Sequence, residues 1–402
     1  MRAPDLLIVG GGPAGLMSGL LFARAGVRTI VLEKHGDFLR DFRGDTVHPS
    51  TLNLFDELGL FDALLERPHD RIEQVGAVIG GRRWPVADFT RLSGRGRFIA
   101  MMPQWNFLDF VAERARRLPR FELRMETEAA GLLENDGRVG GVHTAAGEAM
   151  PARLTMLADG RGSRLRAGLP LVELGAPIDV LWFRVPKART AVNQTEFYLG
   201  DAGIVITVDR GDYFQCARVI AKGQAEAVKA RGMDIFHREV AAIAPSLGGG
   251  LCELRRWDDV KLLSVSLDRL ERWWRPGLLA IGDAAHAMSP VGGVGINLAV
   301  QDAVAAANTL AGPLAAGHDP DPLLARVQAR RELPVQLTQA MQRLAHWRVI
   351  APALAGQLGR APLPLRALAV SPALRRAAGR LLGLGLRREH VRSPAAHPVW
   401  AD

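Results

Sequence analysis

Cysteine is nearly absent from this 402-residue sequence: Cys216 and Cys252 are the only two. They form no CxxC-type pair, which excludes a cysteine-based zinc site and a thiol–disulfide exchange centre, so any redox role belongs to a bound cofactor. Tyrosine is equally scarce. Only Tyr198 and Tyr213 could offer a phenolic hydroxyl to a ligand. No stretch approaches the roughly 18 apolar residues of a membrane-spanning helix. The opening run Asp5–Val9 is too short for a signal peptide, so a cytoplasmic protein is expected. Lysine is rare as well: five of the 51 basic residues are lysine and 46 are arginine. The net charge of +9 is unevenly spread. From Ala353 to Asp402 there are eight arginines and two acids, a net of +6, which leaves +3 for the rest. Basic residues are not interleaved with aromatics and no nucleic-acid-binding module is present, so the charge does not point to nucleic acid.

What is present starts at once. Asp5–Val9 reads as a buried parallel strand and runs into Gly10-Gly-Gly-Pro13-Ala14-Gly15, a GxGxxG. A helical pattern follows as far as Gly26, then a second strand over Arg28–Leu32 that ends at Glu33 and Lys34. This order of strand, glycine turn, helix, strand and acid is what a dinucleotide needs. Gly10 makes the tight turn, Gly12 admits the pyrophosphate to the helix N-terminus, and Gly15 allows close helix–strand packing. Glu33 would accept the adenosine ribose hydroxyls and disfavour a 2′-phosphate.

Two later segments narrow the choice between FAD and NAD. A strand over Leu154–Leu157 leads to Asp159-Gly-Arg-Gly-Ser163. Another over Leu278–Ile281 leads to Gly282-Asp283-Ala-Ala-His286, then Pro290 to Asn297 and a long helix over Leu298–Leu310. In these three motifs, taken in order, the chain resembles single-component FAD-dependent aromatic monooxygenases of the p-hydroxybenzoate hydroxylase type. The resemblance covers about Asp5 to Gln342. The middle motif departs mildly from the usual DGxxSxVR by placing Leu165 in the hydrophobic slot.

The resemblance implies an α/β fold: a Rossmann-like FAD-binding domain (1–71, 99–172 and 271–320), an inserted mixed β-sheet substrate domain (72–98 and 173–270) and a C-terminal helical region (321–402). It implies that Asp283 holds the ribityl chain, that backbone amides near Gly295, Ile296 and Asn297 face the flavin pyrimidine, and that Pro290 lines the edge where oxygen reacts. It also implies that Asp159 shapes the FAD pocket, that Gln104 contacts FAD, and that Arg43 contacts the cofactor and gates flavin movement. His286 reads as a packed structural histidine.

The substrate sheet is legible as short strands. Ile72–Ile79 and Arg83–Phe89 flank a Gly80-Gly81 turn. Four more runs lie between Ile178 and Ile220, Gln224–Ile243 reads as one helix, and Val260–Leu267 is a further strand. Trp182 and Arg184 share one strand face, as do Tyr213 and Gln215; these four are the candidate substrate residues. No cluster of cations stands ready to clamp a small carboxylate, which favours a larger neutral aromatic or quinone-like substrate. By resemblance, NADPH or NADH reduces FAD as a transient co-substrate, and a flavin C4a-hydroperoxide formed with O2 hydroxylates the substrate. Only one GxGxxG exists, so no second dinucleotide domain is present, unlike disulfide reductases. A FAD-dependent reductase of the geranylgeranyl type and a non-catalytic flavin-binding protein are the alternatives on the same scaffold. The protein is expected to be a monomer or homodimer. In the tail, Ser371-Pro372 starts a short basic helix whose Leu374, Ala378, Leu381 and Leu382 form a stripe, which either packs on the body or touches an anionic membrane surface weakly.

Overall fold

The computed structural model describes residues 3–39, 45–187, 195–200, 203–357 and 361–398. Its centre is a six-stranded sheet ordered Trp274–Arg275, Leu278–Ala280, Leu154–Leu157, Leu6–Val9, Thr29–Leu32, Phe121–Arg124. All neighbours run parallel except the first pair. Leu6–Val9 is buried on both faces, which is why its sequence is continuously apolar rather than alternating. The register pairs Val9 with both Leu32 and Leu157, and Leu157 with Ala280. The carboxyl ends of four strands therefore lie side by side, and the residues that follow each end share one edge. Open parallel sheets bind ligands at that edge. Helices Pro13–Arg24 and Gly295–Ala315, both rich in alanine and glycine, pack closely over the sheet and carry much of its core.

A second, seven-stranded sheet is ordered Lys261–Ser264, Ile178–Pro186, Tyr213–Ala221, Gly203–Asp209, Glu196–Gly200, Gln74–Ile79, Arg82–Asp88. Two stretches of chain, separated by more of the first unit, build it together. Gly80 and Gly81 have φ of +58° and +75°, the two positive values a tight hairpin with right-handed strand twist requires. One face, with Phe183, Val205 and Cys216, packs on helix Met233–Ile243. The other, with Val180, Ala217 and Ile204, faces the loop at Val291 and the C-terminal helices.

Two expectations need correction. Gln224–Ile243 is two helices, Ala225–Ala230 and Met233–Ile243, because Gly232 takes φ +91° between them. The tail helix, Pro372–Leu384, packs through only part of its expected stripe: Ala378 and Leu382, with Leu384, lie against Phe89 and Leu92, and small residues allow the approach, since a Cβ on Gly379 would lie 2.0 Å from the Asp88 carbonyl oxygen and one on Gly383 within about 3 Å of Pro49, Leu92 and Phe89. Leu374 and Leu381 stay exposed.

The segment after the tail helix straps the first unit together. Arg24 donates to the Ser393 carbonyl at 3.2 Å, Asn308 donates to the His390 carbonyl at 2.8 Å, and the Val391 N–H donates to Glu57 at 2.8 Å. Among the described residues, no helix is long and apolar enough to cross a membrane.

Candidate cofactor and substrate site

The glycine turn is fixed by space. A Cβ on Gly10 would meet the Ala158 carbonyl oxygen at 2.5 Å, and Gly10 has φ +103°. A Cβ on Gly15 would lie 1.9 Å from the Gly10 carbonyl oxygen, so the helix could not close onto the turn. At Gly12 the nearest atom is 3.9 Å away, which leaves the backbone open on the ligand side. Pro13 occupies the first helical turn, where its missing N–H costs nothing. Ala14 is small enough for Gly282 to pass, since a Cβ there would be 3.0 Å from the Ala14 Cβ.

Glu33 is buried at the end of its strand. Its carboxylate accepts the Gly11 N–H at 3.0 Å and the His35 N–H at 3.0 Å. Lys34 beside it is exposed. Along the same edge, burial raises the Asp159 carboxyl above the usual range. Its Oδ1 is buried with no hydrogen-bond partner among the described residues. Asp283, half-buried, accepts Arg161 at 3.0 Å. Arg166 donates to the Ala284 and Arg161 carbonyls at 3.1 and 2.9 Å and so ties the two motifs together.

The head of helix Gly295–Ala315 has no side-chain cap, and its first N–H groups carry the positive end of the helix dipole. A Cβ built on Gly295 meets nothing within 4 Å. The Asn297 side chain is occupied elsewhere: its Oδ1 accepts the His48 N–H and the Thr51 hydroxyl, both at 2.8 Å, and its Nδ2 donates to the Thr46 and Gly293 carbonyls. Asn297 thus fixes the helix head while its backbone N–H stays in the uncapped first turn. Behind it, His286 is buried, with Nε2 2.6 Å from Asp302. Burial pushes the Asp302 carboxyl up, but His286 and Arg331 outweigh it and hold it below the usual range. His286 is structural, as its motif suggested.

The turn residues, the orphaned Asp159 oxygen and the uncapped helix head fit a dinucleotide laid across this edge with its flavin end at Gly295. Gln104 is buried at the head of its own helix, and its N–H faces Asp45 at 3.4 Å. Arg43 lies outside the described residues.

On the sheet, Trp182 is half-buried in one cluster with Trp84, Ile206, Val291, Leu354 and Leu365. Gln215 is buried on the same face further along, where its Oε1 accepts Arg210 Nε at 3.2 Å. Arg184 is exposed, its guanidinium 5.2 Å from the Tyr213 ring centroid. Trp182 is therefore the candidate nearest the Val291 loop, and the other three lie toward the sheet's far turn.

Sequence reasoning missed what holds that turn. Arg210 forms a buried ion pair with Asp45, and Lys187 bonds Asp209 at 2.7 Å. Burial raises the Asp45 carboxyl to about 6, with Arg210 pulling the other way. This chain of Gln215, Arg210, Asp45 and Gln104 joins the seven-stranded sheet to the helix Gln104–Arg116. The partners are 165 residues apart, so no local signal could have shown it.

A parallel sheet with its motifs on one edge, roofed by a second sheet, defines a flavoprotein of the single-component monooxygenase fold. The chain belongs to the FAD binding domain family, whose model matches residues 4–341. It is 34% identical to 6-methylpretetramide 4-monooxygenase of Streptomyces rimosus over 86% of each chain. It is 29% identical to rifampicin monooxygenase of Streptomyces venezuelae, over 74% of this chain and 62% of that one. Among solved structures it is similar to PqsL, a probable FAD-dependent monooxygenase of Pseudomonas aeruginosa, with a TM-score of 0.76 at 20% identity over 91% and 99% of the two chains. The protein is an FAD-dependent monooxygenase.

Proposed function

We propose that it hydroxylates a neutral, extended aromatic or quinone-like molecule with O2 and NADPH or NADH, held between the seven-stranded sheet and the Ser289–Val294 loop. Residues 1–71, 99–172 and 271–320 form the cofactor unit, 72–98 and 173–270 the substrate sheet, and 321–402 the helical region. One observation carries the substrate reading. The sheet face beside Val291 is walled by Trp84, Trp182, Ile206, Leu354 and Leu365, and the arginines at its margin, Arg82 against Trp84 and Arg184 against Tyr213, are exposed and lie over rings. Such a wall recognises area and shape, not a carboxylate. The names of the relatives, which carry 6-methylpretetramide and rifampicin, support the reading.

When bound, FAD supplies the electron transfer and oxygen activation that side chains cannot. Glu33, already oriented by Gly11 and His35, binds the ribose hydroxyls. Gly12 and the head of helix Pro13–Arg24 take the pyrophosphate, and Asp283, Asp159, Gln104 and Arg43 bind along the cofactor. The N–H groups of Ile296 and Asn297 stabilise negative charge at the ring. Pro290 and Val291 exclude water on the reacting side, while Trp182 orients the substrate ring and Arg184, Tyr213 and Gln215 bind its polar rim. The exposed Leu374 and Leu381, beside Arg376 and Arg380, give the tail helix a weak affinity for an anionic membrane surface; vesicle co-sedimentation with and without residues after Pro364 checks that, and equal binding removes it.

The test is a screen of NAD(P)H oxidation and oxygen uptake over phenols, quinols and polycyclic aromatics, with mass detection of a one-oxygen gain. Large neutral rings are expected to stimulate both. Preference for a small aromatic carboxylate would overturn the substrate reading. NAD(P)H oxidation without oxygen uptake would point to a reductase.

A further inference from the structure

Helix Leu324–Ala345 sends a row of polar side chains inward. They lie beside the buried Leu324, Val327, Pro334 and Val335 and bond to the body of the protein. Gln328 donates to the Glu271 carbonyl, Arg331 bonds Asp302, and Gln339 donates to the Asp268 and Ala287 carbonyls. Gln342 donates to the Ser289 and Val291 carbonyls, both at 2.9 Å, and His346 lies 2.9 Å from the Ser289 hydroxyl. These side chains hold the Ala287–Val291 loop, which carries Pro290.

The outward face carries an apolar stripe flanked by the exposed Arg330 and Arg343. Leu333, Leu337, Met341 and Leu344 are 46%, 40%, 39% and 59% exposed, and Trp347, one turn on, is 65% exposed. Exposed Ala340 lies among them. Positions 333, 337, 340 and 344 repeat at intervals of four, three and four, the spacing of a helix–helix seam. Isolated exposed leucines are ordinary, but a continuous stripe of roughly 500 Å² is at the upper end of what a monomer shows.

We propose that this stripe is the contact between two copies of the chain, paired antiparallel about a two-fold axis at Ala340. The small alanine at the crossing lets the helices approach. Leu333 then lies opposite the partner's Trp347, and Leu337 opposite Leu344 to within a residue. Glu332 meets Arg348 twice, once at each end, because a two-fold contact repeats every pair. Two such stripes bury about 1,000 Å² in total, the least that a biological interface needs, and the flanking charge pairs add to it. The pairing also braces the helix that holds the Pro290 loop. It does not depend on the substrate reading.

Sedimentation velocity of the holoenzyme across low to high micromolar concentrations tests it. A dimer is expected. Leu337→Glu with Leu344→Glu gives monomers that keep their flavin content. Glu332→Arg raises the dimer Kd about tenfold, and adding Arg348→Glu restores it. These two positions are exposed or half-buried, so the charge swap stays readable if the leucine variants fold poorly. A wild type that is monomeric throughout overturns the proposal, as does a double-Glu variant that remains dimeric or a charge swap that fails to restore pairing. Monomers that co-sediment with anionic phosphatidylglycerol vesicles through this face would also overturn it, in favour of a lipid surface.

Discussion

Two surfaces meet at the Ser289–Val294 loop, and they are built by opposite means. The cofactor edge is mostly backbone: glycines whose Cβ would collide, amide groups at helix heads, and carboxylates such as Glu33 already held by main-chain N–H groups. The sheet face is mostly side chain: indoles, aliphatic groups and one buried amide, Gln215. Backbone geometry tolerates few residue types, whereas a side-chain wall can be rebuilt without unfolding its sheet. One surface is therefore suited to a fixed ligand and the other to a variable one.

That contrast can be broken in order of effect. Gly15→Val places carbon atoms where the Gly10 carbonyl oxygen already stands, so the purified protein is expected to carry no flavin, read from its visible absorbance; near-normal FAD content would mean that the turn is not rigid. Asp45→Asn leaves Arg210 buried without its counter-charge and is expected to cost about 3–5 kcal/mol in denaturant unfolding. Asp45→Asn with Arg210→Gln should cost less, and equal losses would show that the pair does not couple the seven-stranded sheet to helix Gln104–Arg116.

The same junction gives the stability a pH signature. Burial lowers His48 to about 4, so the folded state resists a proton that the unfolded chain accepts near 6.5. Stability from this group is present above pH 6.5 and is lost as pH falls toward 4, by about 3 kcal/mol. Asp45 acts in reverse: its stabilising contribution is whole below about pH 4 and is lost as pH rises through 6. Melting temperature against pH should flatten on its acid side in His48→Gln, and an unchanged profile would remove His48 as the cause. The smallest effect is expected at the sheet: Trp182→Ala should retain flavin and raise substrate KM about tenfold, roughly 1.4 kcal/mol. If it instead loses flavin, the two surfaces are not separable.

The cofactor edge was legible because its chemistry is local. A glycine, a strand end and an acid at set spacing state their purpose within about thirty residues. The Gly80-Gly81 hairpin was legible for the same reason. What the sequence concealed depends on distant partners. Arg210 carries no local signal, and its role appears only when Asp45 is folded against it. Arg161 gave no sign that it would engage Asp283. In the tail helix the leucine spacing marked only part of the packing face: Ala378 and Leu382 pack, Leu374 and Leu381 stay exposed, and Gly379 and Gly383 make the close contact. Helix Leu324–Ala345 turns Gln339 and Gln342 inward beside its buried Val327 and Val335 because the loop carbonyls at Ala287, Ser289 and Val291 need donors.

The strap at the C-terminal side has a consequence for synthesis. Arg24 closes a helix made well before its carbonyl partner at Ser393, which lies 369 residues further along. At about 5–20 residues per second, a ribosome needs roughly 20–70 s to supply it. For that interval the glycine-turn helix has neither its strap nor the strand Leu154–Leu157 beside Leu6–Val9 until each is made. The nascent chain must keep its most apolar strand from other company meanwhile, which makes early chaperone contact a property of this topology.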